Sequence, residues 1–184
     1  MNDFFKEALK DGEELLWSGQ CEKFETLDET HKKPYVTKAI ITAIVCIGLV
    51  ALFIAKNVDN MAVLILLVAV CGFWVLISNF SDAKKLRKLK YAVTDQRILV
   101  YINDDFKSTR FIDIDSVSER KDKDGHTSFL FGAEAQTLKN NQLRGIAALG
   151  IKAKSENTPC ERFVIYGIDD PQGFKAAVSK NLHY

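Results

Sequence analysis

Five basic side chains lie within seven consecutive positions, directly after the second of two long apolar runs. They are Lys84, Lys85, Arg87, Lys88 and Lys90. Next to an anionic membrane leaflet, each such charge contributes on the order of 1 kcal/mol of attraction, which falls off within a Debye length. The same charges also set the orientation of a neighbouring membrane span. The stretch therefore indicates binding of anionic lipid headgroups or a role in topology alone, and the two roles are compatible.

Other residue types that could support catalysis occur in less specific patterns. Asp113 and Asp115 are two positions apart, so on a strand both carboxylates would share a face. They could act as an acid/base pair, but we favour a solvated strand edge. His31, His126 and His183 lie in polar surroundings, which predicts solvated imidazoles. The sequence has no GxSxG, HExxH or glycine-rich phosphate loop, so we predict a protein that is not an enzyme, with an unrecognised activity as the alternative.

Cysteine spacing and net charge argue against two further classes of protein. The four cysteines are Cys21, Cys46, Cys71 and Cys160. They form no CxxC motif and no histidine cluster accompanies them, so we predict free thiols or small apolar packing residues, and neither a metal nor a cofactor. The formal net charge of +1 lacks the basic excess of a nucleic-acid-binding protein.

Two apolar runs, residues 39–55 and 61–80, lie five residues apart and contain no Asp, Glu, Lys, Arg or His. As helices they would extend roughly 25 and 30 Å, close to the thickness of a hydrocarbon core of about 30 Å. The first is short unless Thr37 and Lys38 lie at the interface. A soluble core helix shows one polar face, whereas these runs are apolar all round. We predict a transmembrane helical hairpin, with a buried hairpin of a soluble protein as the alternative.

Basic residues near the ends of the hairpin predict its orientation. Those upstream of the first run are His31, Lys32, Lys33 and Lys38. The five basic residues described above follow the second run, whereas the turn between the runs carries only Lys56, with Asp59 nearby. By the positive-inside tendency, both termini are expected on the cytoplasmic side of the membrane, with the turn facing outward.

The chain is expected to have four zones. Residues 1–38 form an N-terminal segment, 39–80 the hairpin, 81–90 the basic juxtamembrane segment and 91–184 a cytoplasmic domain. Within the first zone, residues 3–9 read as a short helix. Residues 14–19 read as a strand or turn that docks either onto the later domain or onto the membrane surface. Strand-like alternation follows residue 90.

The later domain is expected to be of the α+β class. Asn103, Asp104 and Asp105 predict a turn, residues 107–114 a strand, and Lys123-Asp124-Gly125 a hairpin. Asp170 and Pro171 predict the cap and first position of a C-terminal helix that covers a sheet. Residues 133–159 are the least regular. There, residues 136–145 read as polar and mobile, and 146–151 as a short helix or a membrane-touching loop.

Two features admit both structural and functional interpretations. Arg97 follows a turn, and we favour pairing with a nearby carboxylate or carbonyl, for instance Asp95 or Asp113, over contact with a lipid headgroup. Four alanines lie close to one face of the first run and could pack on the second run or on a partner. They are Ala39, Ala43, Ala51 and Ala55. The intramolecular contact is the favoured hypothesis, and the lack of ionisable groups in both runs argues against transport.

Three stretches, in order, resemble the bacterial pleckstrin-homology-like (PH-like) membrane proteins. Residues 12–19 are similar to a Gly-Glu-x-(two apolar)-Trp-x-Gly opening. Thr94, Asp95 and Arg97 match the Thr-Asn-x-Arg turn of that family, with Asp in place of Asn, and read as structural turn residues. Residues 163–174 resemble its final strand, Ile-x-(Asp/Asn)-Pro turn and helix.

The resemblance implies a seven-stranded, curved antiparallel sheet or partly open barrel, capped by the last helix. It implies neither lipid binding nor catalysis. We therefore expect a non-catalytic, membrane-tethered interaction or scaffolding module with an unidentified membrane or cytoplasmic protein as partner, in contact with membrane lipids. The alternatives are an anionic-lipid-binding module that uses the basic juxtamembrane stretch, and an accessory subunit of a membrane complex.

Overall fold

The computed structural model describes residues 2–57, 59–153 and 158–182, so the prediction for His183 lies outside the described residues. The α-helices are α1 (Asn2–Phe5), α2 (Glu29–Ala55), α3 (Met61–Leu86), α4 (Ala133–Gln136), α5 (Asn140–Ala147) and α6 (Pro171–Val178). The strands are β1 (Leu15–Gln20), β2 (Lys90–Thr94), β3 (Arg97–Ile102), β4 (Asp105–Arg110), β5 (Val117–Lys121), β6 (Thr127–Phe131), β7 (Lys152–Ala153) and β8 (Cys160–Ile165). Two short 3₁₀ helices, Lys6–Ala8 and Phe111–Asp113, complete the elements.

Helices α2 and α3 form the predicted hairpin. They contain 27 and 26 residues, reach mean hydropathies of 2.6 and 2.8, and are long and apolar enough to cross a membrane. Their middle portions expose large apolar side chains, among them Ile47 at 69% and Trp74 at 74%. Each helix also extends beyond the apolar run, because polar residues at the domain end take part in packing.

The two helices meet through small and polar side chains. A Cβ on Gly72 would lie 2.9 Å from the Cys46 sulfur and 3.6 Å from the Thr42 methyl group. The Lys38 ammonium donates to Ser78 Oγ at 2.9 Å and to Asn79 Oδ1 at 3.3 Å. Lys38 therefore lies level with the polar end of the second apolar run, where its charge has hydrogen-bond acceptors.

The alanine face of the first run does not pack on the second run. Ala43, Ala51 and Ala55 are exposed and Ala39 is half-buried. The favoured intramolecular contact was therefore wrong for three of the four alanines. The reason is that Gly72 permits closer approach on the face that carries Thr42 and Cys46.

The strands form two four-stranded antiparallel sheets, in the orders β1-β2-β3-β4 and β5-β6-β8-β7. A bridge between Cys21 and Ile168 links the segments that follow β1 and β8. The predicted α+β class with a hairpin, antiparallel sheets and a C-terminal helix is confirmed. The sheets are not closed into a barrel, and the described residues contain eight strands rather than the seven that the resemblance implies.

Strand β1 decides between the two hypotheses for residues 14–19. It pairs with β2, with Trp17 opposite Val93 and Gly19 opposite Tyr91. The segment therefore docks onto the domain rather than onto the membrane surface. At the other end of the same sheet, Asn103 and Asp104 have φ angles of 52° and 62°, which confirms the predicted turn between β3 and β4.

Helix α6 follows the sequence prediction in detail. The Asp170 carboxylate accepts a hydrogen bond from the Gly173 backbone at 2.9 Å, and Pro171 is the first helical residue. The apolar side chains Phe174, Ala177 and Val178 are buried. The Phe174 ring packs 4.6 Å from the ring of Phe129 in β6. This packing places α6 across both sheets.

Residues 136–145 were wrongly expected to be polar and mobile. They contain the start of α5, in which Leu143 and Ala147 are buried at i and i+4. This short apolar stripe packs into the core although Leu143 lies between two polar residues, Gln142 and Arg144. Arg144, between the two, is only 3% exposed.

Candidate functional site

The basic juxtamembrane residues divide into two sets. Lys84, Lys85 and Lys88 are exposed and line a groove of about 360 Å³ between the end of α3 and the turn that joins β3 to β4. The other residues that line this groove are Ser81, Leu89, Tyr101, Ile102, Asn103 and Asp104. Three of the five predicted lipid-contacting residues therefore converge on one surface.

Arg87 and Lys90 instead hold the N-terminal segment. The Arg87 guanidinium donates to the Phe24 carbonyl at 3.2 Å and to Thr26 Oγ1 at 3.3 Å. The Lys90 ammonium lies 3.6 Å from the centroid of the Phe4 ring, a cation–π contact. Because these charges already have partners within the chain, they do not share the surface of the three lysines.

The groove is suited to an anion. Among the described residues, none forms a salt bridge with Lys84, Lys85 or Lys88. The Ser81 hydroxyl and the Asn103 side-chain amide are neutral hydrogen-bond donors at the same surface. Its one carboxylate, Asp104, accepts a hydrogen bond from Tyr101 at 3.0 Å. Asp82, three residues before Lys85 on α3, also acts electrostatically on the Lys85 ammonium. Three ammonium groups therefore outnumber two carboxylates, and the groove has a net positive charge.

A buried ion pair joins the start of α2 to the domain. The Arg144 guanidinium pairs with the Asp28 carboxylate at the N-cap of α2. It also donates to the Thr26 carbonyl at 2.8 Å and to the Tyr166 hydroxyl at 3.0 Å. The Phe24 ring lies 4.3 Å from the guanidinium carbon. Arg144 therefore links three parts of the chain: the N-terminal segment, the N-cap of α2 and Tyr166, which directly follows β8.

The network continues through Tyr166 to the hairpin between β5 and β6. The Tyr166 hydroxyl donates to the Asp122 carboxylate at 2.9 Å. Burial raises the pKa of Tyr166 well above its ordinary value, so the hydroxyl keeps the proton it donates. From the same hairpin, the Asp124 carboxylate accepts hydrogen bonds from the Glu29 and Thr30 backbones, each at 3.0 Å. The domain therefore supplies hydrogen-bond acceptors for the backbone N–H groups in the first turn of α2.

Two histidines predicted to be solvated lie in this network. His31 is 6% exposed, and its Nδ1 lies 2.6 Å from Asp28. His126 Nδ1 lies 2.5 Å from the Glu22 carboxylate. The prediction was wrong because these partners are brought together by the packing of α2 and of residues 22–28 against the domain.

The residues that carry the family resemblance also contact each other. The Glu13 carboxylate accepts hydrogen bonds from Arg97 Nε and Nη2, both at 2.8 Å, and from the Thr94 hydroxyl at 2.7 Å. The Asp95 carboxylate accepts one from the Glu14 backbone at 3.0 Å. Arg97 was expected to pair with a carboxylate or a carbonyl, and it does, since it also donates to the Ala8 carbonyl at 2.9 Å. The two carboxylates named as examples, Asp95 and Asp113, were wrong. The structural role of Arg97 stands.

The Trp17 side chain makes a second link between these motifs. Its indole N–H donates to the Asp170 carboxylate at 3.1 Å, and its ring packs 5.2 Å from Phe174. A Cβ on Gly19 would overlap the Trp17 ring. Glycine at this position therefore lets the indole lie flat on β1 and reach the cap of α6.

The paired carboxylates do not share a strand face. Asp113 lies in the 3₁₀ helix after β4 and accepts two hydrogen bonds from Arg110, at 2.7 and 3.0 Å. Asp115 is exposed and accepts a hydrogen bond from the Ser116 hydroxyl. The strand that was expected over residues 107–114 ends four residues earlier, at Arg110, so neither carboxylate lies on it and the strand spacing does not apply.

All four cysteines are free thiols, as predicted. Burial raises the pKa of Cys21 to about 12 and that of Cys160 to about 11, so both are protonated and unreactive near neutral pH. Within residues 2–57, 59–153 and 158–182, no group of three or more His, Cys, Asp or Glu side chains could hold a metal ion.

Sequence patterns missed the buried junction residues Asp28, Asp122, Arg144 and Tyr166. One signal was present, since Asp28 stands three residues before His31 at a typical N-cap position ahead of a long helix. Comparison of the chain with protein-family models, with curated proteins and with solved structures found no match. No relative therefore assigns a role to the groove or to the junction.

Proposed function

We propose that this chain crosses a bacterial cell membrane twice and holds its PH-like α+β domain at the cytoplasmic face as a non-catalytic interaction or scaffolding module. The observation that carries this proposal is the continuity of both long helices with the domain. Thr30 and His31 of α2 and Ala83 and Leu86 of α3 are buried. The apolar middle portions of the same helices are exposed. An exposed apolar surface of this size indicates contact with a membrane or another protein.

Charge distribution supports the orientation. Both domain ends of the hairpin carry clustered lysines, whereas the far turn carries only Lys56 with Asp59. Short loops rich in lysine and arginine stay in the cytoplasm. Both termini and the domain are therefore on the inner side.

The junction explains what tethering provides. Arg144 and Asp124 connect the domain to the start of α2. Arg87, directly after α3, binds the segment before α2. The domain is held against the hairpin by these contacts, so it faces neighbouring proteins in one orientation. Tethering also raises its effective concentration toward other membrane-bound partners.

Labelling of single cysteines tests the membrane location. In a background with the four native cysteines replaced, Lys56→Cys should react with a membrane-impermeant maleimide in intact cells, and Lys123→Cys only after permeabilisation. Reversed labelling would overturn the orientation. Release of the full-length protein by an alkaline wash would overturn the membrane location itself.

Cross-linking and affinity purification of the full-length protein from native membranes test the interaction role. A stoichiometric partner, identified by mass spectrometry, is the expected result. Recovery of the protein alone under cross-linking conditions that capture other membrane complexes would contradict a scaffolding function.

Two alternatives each have a specific observation in their favour. The groove lined by Lys84, Lys85 and Lys88 favours an anionic-lipid-binding module. The exposed alanine face favours an accessory subunit of a membrane complex. In the latter case, bulky substitutions at Ala43 and Ala51 should dissociate a complex in detergent, and an intact complex would count against it.

A further inference from the structure

We propose that the groove formed by Lys84, Lys85 and Lys88 binds the phosphate of an anionic phospholipid headgroup. This inference rests on the proposed membrane location and goes further, because it names the ligand chemistry, the three residues and the basic side chains that take no part. The ligand is a phosphodiester in the inner leaflet.

Depth in the membrane favours a lipid as the source of the phosphate. Phe80 ends the apolar run and is 42% exposed. Lys84 and Lys85 follow four and five residues later on the same helix, roughly 6 to 8 Å further along its axis. The headgroup layer on each side of the hydrocarbon core is about 5 to 8 Å thick. The first two ammonium groups therefore lie at the level of the lipid phosphates.

Convergence on one groove distinguishes these lysines from a general basic surface. Lys84, Lys85 and Lys88 approach from the end of α3, and Asn103 in the turn between β3 and β4 forms the facing wall. Phosphate oxygens accept charge-assisted hydrogen bonds from ammonium groups. Arg87 and Lys90 are occupied by Phe24 and Phe4, so neutralising them should not remove the site.

The Asp104 carboxylate narrows the class of ligand. It lies at the groove and already accepts from Tyr101. A carboxylate at the rim repels a second phosphate but accepts hydrogen bonds from hydroxyl groups. A phosphodiester with a hydroxylated headgroup, such as phosphatidylglycerol, fits both: its phosphate binds the lysines, and its hydroxyl groups donate to Asp104.

Native mass spectrometry of the detergent-purified full-length protein tests the site. The probes are phosphatidylglycerol and phosphatidylcholine with identical acyl chains, each compared with millimolar inorganic phosphate. The wild type should retain phosphatidylglycerol preferentially. Since each lysine contributes a factor of about five, the K84Q/K85Q/K88Q variant should bind it roughly a hundredfold more weakly.

Two control variants separate the groove from net charge. K107Q/K121Q/K123Q removes the same charge from exposed lysines elsewhere and should retain phosphatidylglycerol like the wild type. R87Q lies within the same stretch and should also retain it. An unchanged thermal transition of the triple groove variant in detergent shows that it is folded.

Each other outcome overturns a distinct statement. Equal loss in both triple variants would mean that only net charge matters, and the groove site would be wrong. Inorganic phosphate that displaces the lipid at equal concentration would assign the site to a soluble phosphate. A protein that remains in the membrane after an alkaline wash yet binds both lipids equally would refute the site while leaving the proposed function intact.

Discussion

The Glu13 carboxylate and the Arg97 guanidinium form a two-bond ion pair across 84 positions of the chain. The Glu13 side chain is fully buried and that of Arg97 is 12% exposed. The Thr94 hydroxyl donates to the same carboxylate. The N-terminal segment is thereby fastened to the turn between β2 and β3, and the two stretches that looked like separate motifs form one structural unit.

Replacing Glu13 with glutamine should destabilise the domain. The variant leaves the largely buried Arg97 guanidinium without its counter-charge, which lowers the free energy of unfolding by about 3 kcal/mol. Glu14→Gln is the matched control, since Glu14 is the neighbouring residue and is exposed. Urea unfolding of the full-length protein in detergent measures both. Equal stability of the two variants would contradict a structural role for the ion pair.

The same carboxylate predicts a dependence of stability on pH. Burial opposes ionisation of Glu13, but hydrogen bonds from Arg97, the Lys10 backbone and Thr94 outweigh it and lower its pKa from 4.5 to about 2. Its contribution is therefore complete above pH 4.5 and is lost as the pH falls through about 2. The stability gap between the wild type and Glu13→Gln should close over this window. A gap that stays constant down to the lowest pH would show that the carboxylate titrates normally.

Arg144→Met should weaken the junction between α2 and the domain. Removing one partner of a buried ion pair costs about 3 to 5 kcal/mol, because the Asp28 carboxylate is left buried. Asp28→Asn together with Arg144→Met should cost less than the sum of the two single changes. Additive effects would mean that the two side chains do not interact. Arg110→Met is the control: the Arg110 side chain is 47% exposed, so its replacement should change stability little.

Gly72→Leu should separate the two long helices, whereas Gly48→Leu should leave the hairpin intact. A Cβ on Gly72 would meet Cys46, and nothing lies within 4 Å of one on Gly48. Distances between spin labels at Lys56 and Met61, introduced as cysteines in a cysteine-free background, would report the separation. A lower melting temperature in detergent for Gly72→Leu alone is the second expected result. Equal behaviour of the two variants would place the contact face elsewhere.

Local sequence patterns were sufficient to predict many of the helices and turns of this protein. The two apolar runs are long and carry no charge, so their helical hairpin follows from composition and length alone. The turn at Asn103 and Asp104, the Asp-Gly hairpin and the cap of α6 at Asp170 depend on backbone preferences of a few adjacent residues. Such elements are readable because the interactions that specify them are near in sequence.

Tertiary structure decided which side chains act together. The charged residues of the juxtamembrane stretch look alike in sequence, yet packing directs Arg87 to Phe24 and Lys90 to Phe4, and leaves three lysines at one groove. Likewise, Arg144 meets Asp28 only because α5 packs beside the start of α2. These partners are far apart along the chain, so no local pattern encodes their contact. The free-energy cost of burying a charge is offset only where the folded chain brings the opposite charge next to it.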